Sequence, residues 1–255
     1  MKLNFIKILA GILLIPGFFT YSSVKGQQFS SDNYLSKPKG MATIILTTGQ
    51  RNTMLMTTFS LLQNWEFTTS AYLFNDDGDP STNDGYSTSL YAKYMFYENK
   101  EKTGGFAVKF GTGLEPGYLG GNDRVKDAFK SYWMNAPVTI PFFGYVLSWD
   151  LMPGASVTRD FGEEKTTAWA FTYATRLAYY PFSPTLSVVG ETYGTMSKSI
   201  PKPEYRVGLR WEPNQYAVFA LSYDNGFAGH KGGGFEIGMM LFSPPFFCIG
   251  DCGKK

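Results

Sequence analysis

Histidine and cysteine are nearly absent: His230 is the single histidine, and Cys248 and Cys252 are the two cysteines. His230 sits in Gly229-His230-Lys231-Gly232, with no serine two residues on, and no G-x-S-x-G occurs anywhere. Serine chemistry needs a nucleophile within reach of a base, so no enzymatic activity is expected. One histidine and two cysteines do not supply the four ligands of a structural zinc site. Asp76-Asp77-Gly78-Asp79 does not fit a calcium loop, because its glycine is misplaced and no glutamate stands at the twelfth position. Gly120-Gly121 and Gly232-Gly233-Gly234 do not follow a strand and open a helix as a phosphate loop would. No metal and no cofactor is expected.

An excess of charge of one sign is missing too, with 23 Lys and Arg against 21 Asp and Glu. Nothing here attracts a polyanion, so no nucleic acid is expected as a partner. Long apolar runs are confined to the N-terminus. Lys2 and Lys7 precede an uncharged apolar stretch from Ile8 to Phe19, and Val24 and Gly26 stand at the −3 and −1 positions of a cleavage site. Residues 1–26 therefore read as a signal peptide cut before Gln27. Beyond it no run of ~18 apolar residues occurs, so no helix is expected to cross a membrane.

What the chain does have is alternation. Trp65-Glu66-Phe67-Thr68, Phe106-Ala107-Val108-Lys109-Phe110 and Tyr205-Arg206-Val207-Gly208-Leu209-Arg210-Trp211-Glu212 switch between apolar and polar at every step. Period two is the mark of a strand with two unlike faces. Twelve such strands are expected, at 41–48, 53–63, 65–75, 86–97, 105–115, 132–142, 145–158, 167–180, 185–196, 204–212, 215–225 and 234–242; ten is the alternative count. Pro137, Pro141 and Pro153 fall inside two of them, where a bulge is expected because proline cannot donate to the ladder. The connections alternate between short turns, such as the one at Asn64, and long polar loops, such as 75–85 and 116–131. That asymmetry belongs to membrane barrels, and an even strand count puts both termini on the short-turn side. The fold expected is all-β, a transmembrane antiparallel up-and-down barrel over 41–242. Residues 27–40 are expected as a short periplasmic segment and 243–255 as a periplasmic tail.

Charge decides which face is which. Glu66, Lys93, Lys109, Glu115, Asp150, Arg176, Glu191, Arg206, Arg210, Glu212, Asp224 and Glu236 share the polar face. Lys or Arg on a lipid face costs ~2–4 kcal/mol at the midplane, so this face is expected to line the lumen. There the charges either border a water-filled path or pair across a narrow interior. Of these, Glu66, Lys93, Lys109, Asp150, Arg176, Glu191, Arg206, Arg210 and Glu236 are the candidate site residues. Outer-membrane lipid is the expected partner of the apolar face. Cys248 and Cys252, an even pair in an oxidising compartment, are expected to form a disulfide. Phe246-Phe247 beside them is a candidate contact for an envelope protein partner, as are the long loops.

Leu90-Tyr91-Ala92-Lys93-Tyr94, Tyr205 to Trp211 and the closing strand Gly234 to Phe242 resemble Gram-negative outer-membrane barrels. They are most similar to the transporter-like MetA-pathway-of-phenol-degradation family. The resemblance implies a barrel that moves small, often aromatic compounds, and it carries over no functional residue. Two functions follow as expectations: a passive channel or transporter for small solutes, or an accessory subunit of a larger outer-membrane complex with a closed lumen.

Overall fold

The computed structural model describes residue 29 and residues 32–75, 85–116, 126–143, 146–159, 166–196, 203–227 and 234–246. The chain runs through β1 (Ala42–Gly49), β2 (Asn52–Phe59), β3 (Trp65–Phe74), β4 (Gly85–Glu98), β5 (Gly105–Gly113), β6 (Ser131–Asn135), β7 (Val138–Phe142), β8 (Leu147–Arg159), β9 (Thr167–Ser183), β10 (Leu186–Met196), β11 (Glu204–Asn214), β12 (Ala217–Gly226) and β13 (Gly234–Phe242). Apart from β6 and β7, which do not pair with each other, each strand pairs antiparallel with its sequence neighbours, and β1 pairs with β13 from Thr43↔Phe242 to Gly49↔Glu236. The sheet therefore closes on itself and has no free edge.

The wall has twelve strand positions, because β6 and β7 share one of them. Both lie between β5 and β8. The interruption falls at Ala136-Pro137, where Pro137 has no N–H to give, while its carbonyl accepts from the Ala107 N–H at 2.9 Å. Pro141 and Pro153 stay in register, opposite Ser148 and Tyr173. The bulge expected from three prolines is thus made at one.

Tight turns join the strands at one end. Asn64 adopts a left-handed conformation (φ 66°) between β2 and β3, where asparagine is tolerated better than most residues. Thr185 and Tyr216 sit in the connections from β9 to β10 and from β11 to β12. Both β1 and β13 meet this end, and the Ser243 side chain accepts from the Ala42 N–H at 2.8 Å.

The alternation resolves as the charges demand. Ile44, Leu55, Leu90, Leu177, Val188, Val207, Leu209, Leu221 and Ile237 stand exposed around the middle of the outer wall. Rings gather toward both ends. Trp65, Tyr94, Tyr179 and Trp211 lie near the tight turns; Tyr86, Tyr132, Trp169, Phe171 and Phe235 lie near the long loops. Such an apolar band with an aromatic girdle at each rim matches a hydrocarbon layer between two interfaces.

Candidate functional site

Ionic side chains on an inner wall must find partners there, since an unpaired charge out of water is costly. The twelve polar-face residues named from the sequence are all buried within the barrel. Five of them form one cross-strand series of alternating sign. Asp150 is the register neighbour of Arg176, Arg176 of Glu191, Glu191 of Arg206, and Arg206 of Asp224. Opposite charges on directly facing positions are the stabilising arrangement in a sheet. Arg176 Nε and Nη2 donate to Asp150 Oδ2 at 2.9 and 2.7 Å, and Thr139 Oγ1 donates to Asp150 Oδ1 at 2.6 Å. Arg206 lies 3.8 Å from Glu191, 3.9 Å from Asp224 and 3.5 Å from Glu236. Arg210 lies 3.3 Å from Glu212, which also accepts from the Tyr180 hydroxyl at 2.9 Å.

Two partners in this network come from outside the strands. Arg51, in the β1–β2 turn, folds inward. Its Nη1 donates to Glu204 Oε2 at 3.0 Å and Asp224 Oδ2 at 2.7 Å, and the Tyr193 hydroxyl donates to the same Glu204 oxygen at 3.1 Å. Glu115, just past β5, is buried and accepts from Asn135 Nδ2 and from Thr172 Oγ1. Burial pushes its carboxyl up to about 7, against the opposing pull of those two donors and of Lys109.

The other partner set corrects the sequence reading. Residues 27–40 were expected as a short periplasmic segment, yet Phe29 and the stretch from Asp32 to Lys37 fold into the barrel. Asp32, Asn33, Tyr34, Ser36 and Lys37 are all buried. Asp32 Oδ2 stands 3.5 Å from both Lys93 Nζ and Lys109 Nζ. Lys93 Nζ also pairs with Glu66 at 2.7 Å and donates to the Leu35 carbonyl at 2.7 Å. The Lys37 N–H donates to Glu66 Oε1 at 2.7 Å, and the Lys37 ammonium lies 4.6 Å from the Phe242 ring centre. Phe29 packs against Ala178, Val189 and Ala220, inward-facing residues of β9, β10 and β12. The segment therefore reaches from the β3–β5 wall to the opposite one. It is drawn in because Lys93 and Lys109 face each other across β4 and β5 while Glu66 pairs with only one of them.

The lumen is not uniformly charged. Ile45, Met56, Tyr91, Trp133, Val218, Met240 and Phe242 form a buried apolar cluster on the inner side of β1, β2, β4, β6, β12 and β13. Cys248, Cys252 and His230 lie outside the described residues. The sequence reading missed Asp32, Lys37, Arg51, Glu204 and Tyr193. The available signal was the surplus of strand lysines at Lys93 and Lys109, which needed an acid from elsewhere.

Glu115 gives a pH dependence with a definite sign. An unfolded glutamate ionises near its ordinary value of 4.5, whereas the folded one holds its proton until about 7. Between those values the folded state binds more protons, so this group's contribution is full at low pH and is lost as pH rises through 7. Glu115→Gln is expected to shrink the loss of stability between pH 5 and pH 8 by about 1–3 kcal/mol. Thermal unfolding of the detergent-solubilised protein at the two pH values checks it.

This arrangement, a closed barrel with an apolar exterior and an ionic interior, defines a transmembrane antiparallel β-barrel. Solved structures with this fold are similar at low identity. The outer membrane channel from Pseudomonas putida F1 has 11% identity and a TM-score of 0.57, with 82% of this chain and 97% of that chain covered. The NanC porin has 8% identity and a TM-score of 0.52, covering 80% and 99%. The KdgM porin in complex with disordered oligogalacturonate has 10% identity and a TM-score of 0.51, covering 79% and 98%. No protein-family model matches the chain, and no curated protein matches it.

Proposed function

We propose that the chain is an outer-membrane channel for small solutes, held shut by Phe29 and residues 32–37. The manner in which that segment is held carries the reading. It lies across the lumen on side-chain ion pairs, hydrogen bonds and ring contacts, and takes no part in the strand ladders. It can leave without opening the wall. The ionic interior gives a solvated path once it has left, since charged side chains favour water over a dry core. The porin structures with the same fold support a channel, and the likeness of the strand sequences to the MetA-pathway barrels extends the solutes to small, often aromatic compounds. Planar-bilayer recordings of the wild type and of a variant lacking residues 29–37 test this: the wild type stays closed and the variant conducts.

One observation favours the accessory-subunit reading, in which the barrel is a closed scaffold. Charges on the inner wall are already paired with one another, as in Asp150–Arg176 and Arg206–Glu236. Phe246, exposed at the tight-turn end, is a surface for an envelope partner in that case. A variant lacking 29–37 that folds yet never conducts selects this second reading.

A further inference from the structure

Lys93 and Lys109 occupy directly opposed positions on β4 and β5. Like charges facing one another in a sheet are destabilising, so the pair calls for an anion. Glu66 answers Lys93 at 2.7 Å. Lys109 has no such neighbour on the wall. Its side chain is fully buried, its ammonium makes no hydrogen bond, and among the described residues its ion pair is with Asp32 at 3.5 Å. Around it stand the rings of Tyr91 and Trp133, 5.0 and 5.7 Å from the ammonium to the ring centres. The Tyr91 hydroxyl rests on Met56 Sδ at 3.3 Å, which continues the apolar wall. Within ion-pair distance, two lysines against one wall glutamate leave one positive charge unmatched, set beside an apolar surface and filled by a carboxylate borrowed from the N-terminal segment; Glu115, which also acts on Lys109, stands farther off and keeps its proton up to about 7.

We infer that Lys93 and Lys109, walled by Tyr91 and Trp133, form a binding site for a small organic monocarboxylate with a compact apolar body, and that Asp32 occupies this site in the closed channel as a built-in competitor. The inference rests on the plugged-channel reading and names its solute. The single net charge selects a monoanion. The aromatic and methionine wall selects an apolar body over a hydrated inorganic ion, because ring faces and thioethers give no hydrogen bonds to replace a hydration shell. A solute carboxylate entering the site displaces Asp32, which loosens the segment at its ionic anchor. Transport and opening then share one event, and the solute opens its own path.

The probe is cyclohexanecarboxylate, with cyclohexylmethanol as the neutral control, titrated calorimetrically into detergent-solubilised protein. A site blocked by its own segment shows an apparent affinity reduced by the fraction of time it is free. Asp32→Asn, which removes the competing charge at unchanged size, is therefore expected to bind the carboxylate at least about tenfold more tightly than the wild type. Lys109→Met in that background is expected to abolish the gain, and the alcohol binds neither protein. In bilayers at constant ionic strength, the carboxylate raises wild-type conductance and the alcohol does not. Should Asp32→Asn fail to fold, the variant lacking residues 29–37 takes its place in the titration. Equal affinity in wild type and variant, or binding indifferent to Lys109→Met, overturns the inference. Conductance without carboxylate binding overturns it while leaving the channel standing. Carboxylate binding that depends on Lys109 in a protein that never conducts upholds the site and removes the channel.

Discussion

Arg176→Met is expected to destabilise the folded barrel by about 3–5 kcal/mol, the cost of leaving one member of a buried ion pair without its partner. Arg176 is only 2% exposed and gives two hydrogen bonds to Asp150 Oδ2. Without it, Asp150 keeps the Thr139 hydroxyl alone, and Glu191 keeps Arg206 at 3.8 Å. The hydrophobic volume of the side chain is largely retained, so the loss reports charge and not a cavity. Asp150→Asn combined with Arg176→Met removes both charges and is expected to cost less than Arg176→Met alone. Urea midpoints of the folded, heat-modifiable form measure both. If the double variant loses as much as the two single variants summed, the pair is not coupled and water screens it.

Removing residues 29–37 is expected to have the largest functional effect, raising mean current at least about tenfold over the wild type as a blocked lumen becomes a water-filled one. The deletion withdraws Asp32, Tyr34 and Lys37 together with Phe29, which meets the opposite wall. It leaves Lys93 with Glu66 and leaves Lys109 facing the freed space. The open path should then favour anions near that point. Arg51, Glu204, Asp224 and the Arg206 cluster, at the long-loop end, are untouched. A second constriction there would show as small, cation-favouring steps.

The wall was legible in the sequence because lipid and lumen impose opposite demands on alternate residues. Tyr205 to Glu212 shows it: Val207, Leu209 and Trp211 face out and Arg206, Arg210 and Glu212 face in. The closing pair β1–β13 was readable from the even strand count. The split of one strand at Pro137 was half legible, because proline forbids a ladder bond but does not say which of three prolines the chain will yield to. The site was legible as a face but not as a set of pairs. Cross-strand neighbours such as Arg176 and Glu191 depend on register, which alternation alone leaves open by steps of two residues. The plug was hidden for a different reason. Asp32-Asn33-Tyr34-Leu35-Ser36-Lys37 carries no periodicity, and an irregular polar segment before a first strand reads as solvated. Its burial follows from an unpaired lysine far away in sequence, Lys109, and from the room that Gly105 leaves for the Tyr34 ring.

The measurement that tests the central claim most directly is the alkylation rate of a cysteine introduced at Ser36, in a background of Cys248→Ser and Cys252→Ser. Ser36 is 7% exposed inside the barrel. With the segment lodged in the lumen, a bulky membrane-impermeant maleimide is expected to label the folded protein at least about a hundredfold more slowly than the urea-unfolded chain, since reaction waits on local opening. Adding Asp32→Asn should restore much of the rate. Labelling of the folded protein as fast as the unfolded chain would contradict the account, because residues 32–37 would then stand outside the barrel and the lumen would have no plug.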